Sequence, residues 1–289
     1  MSRQSHPSPP FATSVAVIGV GLIGGSIAAG LKRLGFTGPV IGAGRNRARL
    51  EQAHARGLID SIADDVATAA SSADLIVVST PVDRIVEDVR AAADACHPGT
   101  LLTDAGSVKQ HICRSLENAL PGGATFIGSH PLAGSEKRGF EHADAHLFEG
   151  RVCVVTPDGR TPPEALHRLK AFWRFLGMSV LEMPADEHDA ALARTSHLPH
   201  VAAAALADAV PPDLYELAGT GFRDTTRIAA GSPDLWVGIL LDNAESLLAA
   251  LDAYAERFQD FREAVARRDA ARLRQLLGVA KQNRDALGR

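Results

Sequence analysis

One short segment constrains the fold more than any other. Val15-Ala16-Val17-Ile18 is an apolar run, Gly19-Val20-Gly21-Leu22-Ile23-Gly24 follows as a GxGxxG turn, and 24–34 carries a helical pattern. A glycine turn between a strand and a helix is the phosphate-binding corner of a dinucleotide fold. Gly19 permits the tight turn, Gly21 lets the backbone approach a pyrophosphate, and Gly24 allows close helix–strand packing. The helix start, at Leu22 and Ile23, offers open N–H groups and the positive end of a dipole to the anion.

The rest of the first half repeats the alternation. Apolar runs at 15–18, 40–41, 75–78, 100–103, 126–127 and 152–155, with a late strand at 180–183, are interleaved with helical patterns such as 48–55 and 84–95. Runs with no polar alternation belong to strands covered on both faces. The expected fold is α/β: an N-terminal doubly wound, Rossmann-type parallel sheet domain over 14–184, then a C-terminal all-α domain over 185–289. Residues 1–13, with Pro7, Pro9 and Pro10, read as a flexible tail. In the second half, 186–209 is alanine-rich and helical, with Pro199 as a kink. Ser232-Pro233-Asp234 is a helix start, and Trp236, Leu240, Asn243, Leu247, Ala250, Tyr254, Phe258, Phe261 and Val265 fall on one stripe of a single long helix. Such a stripe is a packing seam and predicts a subunit or domain interface, with Trp236 as core or interface. A last helix spans 269–280.

Charge and cysteine content exclude several classes. Thirty basic and 34 acidic side chains leave a formal charge of −4, which is no footprint for nucleic acid or an anionic membrane. Three scattered cysteines, Cys96, Cys113 and Cys153, argue against a disulfide framework and predict a cytoplasmic protein. The uncharged stretch before Leu31 imitates a leader, but its glycines belong to the turn. No metal is expected: His197 and His200 lack an evident third ligand, and 141–146 reads as a polar loop.

The second strand should end in an acid if NAD is preferred. Here it ends Gly42-Ala43-Gly44, followed by Arg45. A missing carboxylate and an adjacent guanidinium suit a 2′-phosphate, so NADP is favoured and NAD remains possible. Ligands in such a sheet sit beyond the carboxyl ends of the strands. Ser79-Thr80-Pro81 lies there and is assigned to the cofactor. So do the loops carrying Ser107 and His130. A hydride leaving a carbinol needs a base for the hydroxyl proton, which suits His130, and Ser107 can orient the same oxygen.

The segments GVGLIGGS, DAGSVK, GSHPLAGSEKRGFEHA, SHLPH and GFRDTTRIAAGSPDLW, spread from 19 to 236, resemble the prephenate/arogenate dehydrogenase family of tyrosine biosynthesis. The resemblance implies oxidative decarboxylation of a cyclohexadienol, prephenate or alternatively arogenate, by a homodimer built on the helical half. By position it makes His130 the base at the ring hydroxyl and Ser107 its assistant. It places His200 near the substrate with His197 close by, Arg227 on the side-chain carboxylate and Glu136 as a gate at the pocket mouth. Arg223, where other members carry lysine, is a further substrate residue. With no regulatory or mutase segment expected beyond either end, any inhibition by tyrosine is expected at the active site itself. The rival readings are a β-hydroxyacid or imine reductase, which the His130-Pro131 loop opposes, and a cofactor-sensing protein with no turnover.

Overall fold

The computed structural model describes residues 11–117, 120–134, 137 and 139–288. Its first half is built on β1 (Val15–Ile18), β2 (Val40–Ala43), β3 (Ser61–Ile62), β4 (Leu75–Val78), β5 (Leu101–Asp104), β6 (Thr125–Pro131), β7 (Val152–Thr156) and β8 (Ser179–Glu182). Helices α1 (Leu22–Arg33), α2 (Arg47–Ala55), α3 (Val66–Ala70), α4 (Val82–Ala95), α5 (Gln110–Ser115) and α6 (Pro163–Phe175) connect them. The spatial order is β3-β2-β1-β4-β5-β6-β7-β8. The strands alternate their side chains between two cores: Val15, Val17, Leu75 and Val77 face one layer, Ala16, Ile18, Ile76 and Val78 the other.

The all-parallel expectation needs one correction. β7 runs antiparallel to β6, with His130 opposite Val154, and β8 then pairs parallel to β7. Leu132, just past β6, bonds to Val152 at the start of β7, so β7 begins where β6 ends and returns in the opposite sense. Residues 11–13 also depart from the expected tail. Phe11 is fully buried against Phe36, Phe172 and Phe175, and the Thr13 N–H donates to Asp74 Oδ2 at 3.0 Å.

Trp173 on α6 anchors the first layer. It has no exposed surface, packs edge-on to Phe148 and Phe172, and donates from Nε1 to Ser129 Oγ at 3.1 Å. Trp173→Ala is expected to lower stability by about 3–5 kcal/mol, read as a fall in the urea midpoint at unchanged slope. A loss below about 1 kcal/mol would mean that the layer repacks around the gap.

The second half is helical: α7 (Ala185–Leu192), a wide turn at Ala193–His197, α8 (Leu198–Asp208), α9 (Thr220–Thr226), α10 (Pro233–Asp242), α11 (Ala244–Ala266) and α12 (Ala270–Ala286). Pro199 sits in the first turn of α8, where its missing N–H costs little. The long stripe falls on two helices, not one. Asn243, with φ −114° and ψ 29°, breaks the run and turns its amide inward, donating to Asp189 O at 2.8 Å. Leu241, Leu248, Phe258 and Val265 remain exposed along the stripe's neighbourhood.

Candidate active site

At the glycine turn each glycine has a distinct reason. Gly19 has φ +93°, and a Cβ there would meet the Ser79 carbonyl at 2.9 Å. A Cβ on Gly24 would lie 2.3 Å from Gly19 O, so Gly24 packs α1 onto the turn from beneath. Gly21 faces open space with nothing within 4 Å, which is the approach a diphosphate needs. Gly21 brings no capping side chain to α1, leaving the N–H groups of Leu22 and Ile23 at an uncapped helix start. Ser79 Oγ donates to Gly19 O at 2.8 Å and ties β4 to the turn. Gly19, Gly21 and Ser79 open on a crevice of about 440 Å³, lined also by Gly44, Arg45, Thr80, Pro81, Asp64 and Asp65; Leu22, Ile23 and Gly24 stand behind its wall. Asp64 is engaged with Arg47, and Asp65 caps α3.

A second cavity, of about 780 Å³, lies between the halves. His130, Leu132, Gly134, Lys137 and Arg151 form its sheet side; Thr195, Ser196, His200, Arg227, Leu235 and Trp236 form its helical side. His130 and Arg227, 97 positions apart, therefore line one cavity. His130 Nδ1 is 2.9 Å from His188 Nε2, and His188 Nδ1 is 2.7 Å from Asp189 Oδ1. Asp189 also accepts the N–H of Lys109 at 2.8 Å and of Gln110 at 2.9 Å. The Lys109 ammonium pairs with Asp104, both fully buried, and Asp104 further accepts the N–H of Gly106 and Ser129. Burial, and then the neighbouring His188, Lys109 and His197, hold the His130 pKa well below the ordinary histidine value. His130 is thus neutral at physiological pH and able to accept a proton.

His200 stacks face to face on Trp236, ring centres 3.5 Å apart at 12°. Its Nδ1 is buried and has no hydrogen-bond partner, an orphaned polar atom in a cavity wall. Burial lowers its pKa.

Several expected site residues stand elsewhere. His197 is buried outside the cavity wall. Its Nδ1 accepts from Asn243 Nδ2 at 3.0 Å, and burial takes its pKa down to about 4, so it is a packing residue. Arg223 is exposed on α9, donates to Ala218 O and does not line the cavity. Ser107 is half-buried in the loop after β5, outside the walls of both cavities. Glu136 lies outside the described residues. Trp236, expected as core or interface, packs against the second core layer and is also the platform under His200. Lys137, Arg151, Thr195, Ser196 and the His188–Asp189 pair were not anticipated. Their only sequence signals are adjacency to the GSHPLAG and SHLPH segments and two neighbouring titratable residues in an alanine-rich helix. Among the described residues, no group of three or more His, Cys, Asp or Glu side chains is placed to hold a metal. In the 141–146 run, Glu141 pairs with Arg49, and His146 with Glu149.

The family model described as "Prephenate dehydrogenase, nucleotide-binding domain" matches residues 27–182, and "Prephenate dehydrogenase, dimerization domain" matches 184–279. The chain belongs to the prephenate dehydrogenase family. The cyclohexadienyl dehydrogenase of Zymomonas mobilis is 36% identical over 263 residues, covering 88% of this chain and 89% of that protein. The prephenate dehydrogenase of Bacillus subtilis is 33% identical over 284 residues, 95% of this chain and 76% of that protein. Among solved structures, prephenate dehydrogenase from Aquifex aeolicus in complex with hydroxyphenyl propionate and NAD+ superposes with a TM-score of 0.89 at 33% identity, covering 95% of this chain and 98% of that one. Like other members of the prephenate dehydrogenase family, the chain is a nucleotide-binding oxidoreductase. Among the described residues, no helix is long and apolar enough to cross a membrane.

Proposed function

We propose that the chain converts prephenate to 4-hydroxyphenylpyruvate by oxidation and decarboxylation. The observation that carries this reading is the shared cavity, with neutral His130 on one wall and the Arg227 guanidinium on the other. Gly19, Gly21 and the N–H groups at the start of α1 would hold the dinucleotide, which when bound would supply the hydride acceptor. His130 holds the ring hydroxyl and takes its proton as the carbon–hydrogen bond breaks. The product of that step is a ketone conjugated across the ring, which makes the ring carboxylate a vinylogous β-keto acid. Its carbon–carbon bond breaks, carbon dioxide leaves, and the electron pair completes an aromatic phenol. Arg227 grips the distant side-chain carboxylate in bidentate fashion and so fixes the hydroxyl against His130. His200, with its orphaned Nδ1, offers a second polar contact along the substrate. Glu136 as a gate completes the assignment; Ser107, outside the walls of both cavities, is given no direct contact in it.

Lys137, Arg151 and Arg227 line the cavity, and no carboxylate lines it among the described residues. That balance favours the dianion prephenate over arogenate, whose ammonium group would meet these cations. Arg45 on the rim of the nucleotide crevice, with no acid at the end of β2, supports NADP over NAD. The matched dimerization domain and the exposed apolar side chains on α10 and α11 support a homodimer.

Activity with prephenate and arogenate, each with NAD and NADP, tests all three statements. Prephenate with NADP is expected to give the highest kcat/KM, and Arg45→Ala to raise the KM for NADP by about tenfold while leaving NAD unchanged. A preference for NAD in the unaltered protein would remove the role given to Arg45, and absence of turnover with both acids would remove the reaction.

A further inference from the structure

We propose that His188 is a positioning residue that fixes the tautomer of His130, and that Asp189 in turn fixes the tautomer of His188. The proposal rests on the reading of His130 as the base. It follows from counting donors and acceptors. An ionised carboxylate only accepts. Asp189 accepts the Lys109 N–H on Oδ1 and the Gln110 N–H on Oδ2, so both of its oxygens act as acceptors. His188 Nδ1, 2.7 Å from Oδ1, must therefore carry a hydrogen. Neutral His188 then presents a bare Nε2 to His130 Nδ1 at 2.9 Å. One of those two nitrogens must donate, so the hydrogen of neutral His130 sits on Nδ1. Its Nε2, the nitrogen not engaged with His188, keeps the lone pair that a base requires.

The surroundings reinforce the arrangement. The groups facing the two imidazoles are the Asp104–Lys109 pair below β5, Asp189 on α7, His197 in the wide turn and the Cys153 thiol on β7. Burial raises the Cys153 pKa well above the ordinary thiol range, so it stays neutral. The Lys109 ammonium is committed to Asp104. Asp189 is held by backbone N–H groups and by His188, and its charge reaches along the two rings to the imidazolium that forms when His130 takes the substrate proton. A doubly protonated His188 would reverse the order. It would donate from both nitrogens, force His130 Nδ1 to accept, and put the His130 hydrogen on Nε2, leaving no base.

The test uses the full chain and two substitutions, His188→Leu and His188→Gln, with ¹⁵N shifts of the His130 ring read beside kinetics. In the unaltered protein, the Nδ1–H form of His130 is expected; an Nε2–H form would overturn the proposal without any variant. His188→Leu is expected to lower kcat by roughly 10²- to 10³-fold, with KM for prephenate and affinity for NADP within about twofold, and to move the His130 hydrogen to Nε2. His188→Gln, whose amide oxygen replaces the acceptor, is expected to keep the Nδ1–H form and to lose less than about tenfold. Full activity in His188→Leu, or a loss of kcat with the His130 tautomer unchanged, would sink the proposal. Turnover surviving in His130→Asn would remove the base reading itself, whereas an inactive His130→Asn beside a fully active His188→Leu removes the positioning role alone.

Discussion

His130→Asn is expected to lower kcat by roughly 10²- to 10⁴-fold while dinucleotide affinity stays within about twofold. Asparagine preserves approximate size and a polar contact but cannot accept and hold a proton at neutral pH. His130 stands on β6 in the wall of the cavity between the halves and does not wall the nucleotide crevice, which is why dinucleotide binding should survive. The same assignment fixes a pH dependence. A base whose pKa is depressed is active above that pKa and inactive below it. Because burial, His188, Lys109 and His197 push the His130 value down, the acid limb of kcat/KM is expected below pH 6.5, the ordinary histidine midpoint, and to vanish in His130→Asn. An acid limb above that midpoint would contradict a buried neutral imidazole as the base.

Arg227→Ala is expected to raise KM for prephenate by roughly 30- to 1000-fold, the equivalent of about 2–4 kcal/mol for a charge-assisted bidentate grip in a partly water-excluded cavity. Arg227→Lys should recover only part of that loss, because an ammonium keeps the charge and loses the planar fork. Arg227 opens the short helical turn Arg227–Ala230 and is exposed in the free cavity, so its removal should leave the unfolding midpoint nearly unchanged. A KM that moves less than about threefold would place the carboxylate elsewhere, with Lys137 and Arg151 the cations left to hold it.

The strand–turn–helix corner was legible because one local run of residues carries it whole: apolar strand, three glycines, helix. The buried parallel strands were legible for a similar reason, since a strand covered on both faces has no polar alternation to confuse. β3 was missed because two residues, Ser61 and Ile62, carry no pattern at all. The reversal of β7 was missed because an apolar run states that a strand exists, not which way it points. Asn243 sat on the stripe at a spacing that fits a helix, and only its inward hydrogen bonds reveal a break. In the site, His130, His200 and Arg227 were found through sequence segments that run along single loops or helices. His188 and Asp189 were not. The role proposed for them comes from facing a strand residue 58 positions earlier and a helix start 80 positions earlier, which no local spacing records.

The clasp of Asp189 on the amides of Lys109 and Gln110 bears on how a ligand gets in. That carboxylate is buried, and parting the two halves along this side would strand it without donors, a cost of about 3–5 kcal/mol. Asn243, in the same helical half, donates to the Asp189 carbonyl and fixes α7 against the start of α11, so the residue that makes the clasp is itself held. The back of the cleft is therefore welded. A jaw-like opening with its hinge elsewhere is disfavoured, and acid must enter and phenol leave without this seam parting.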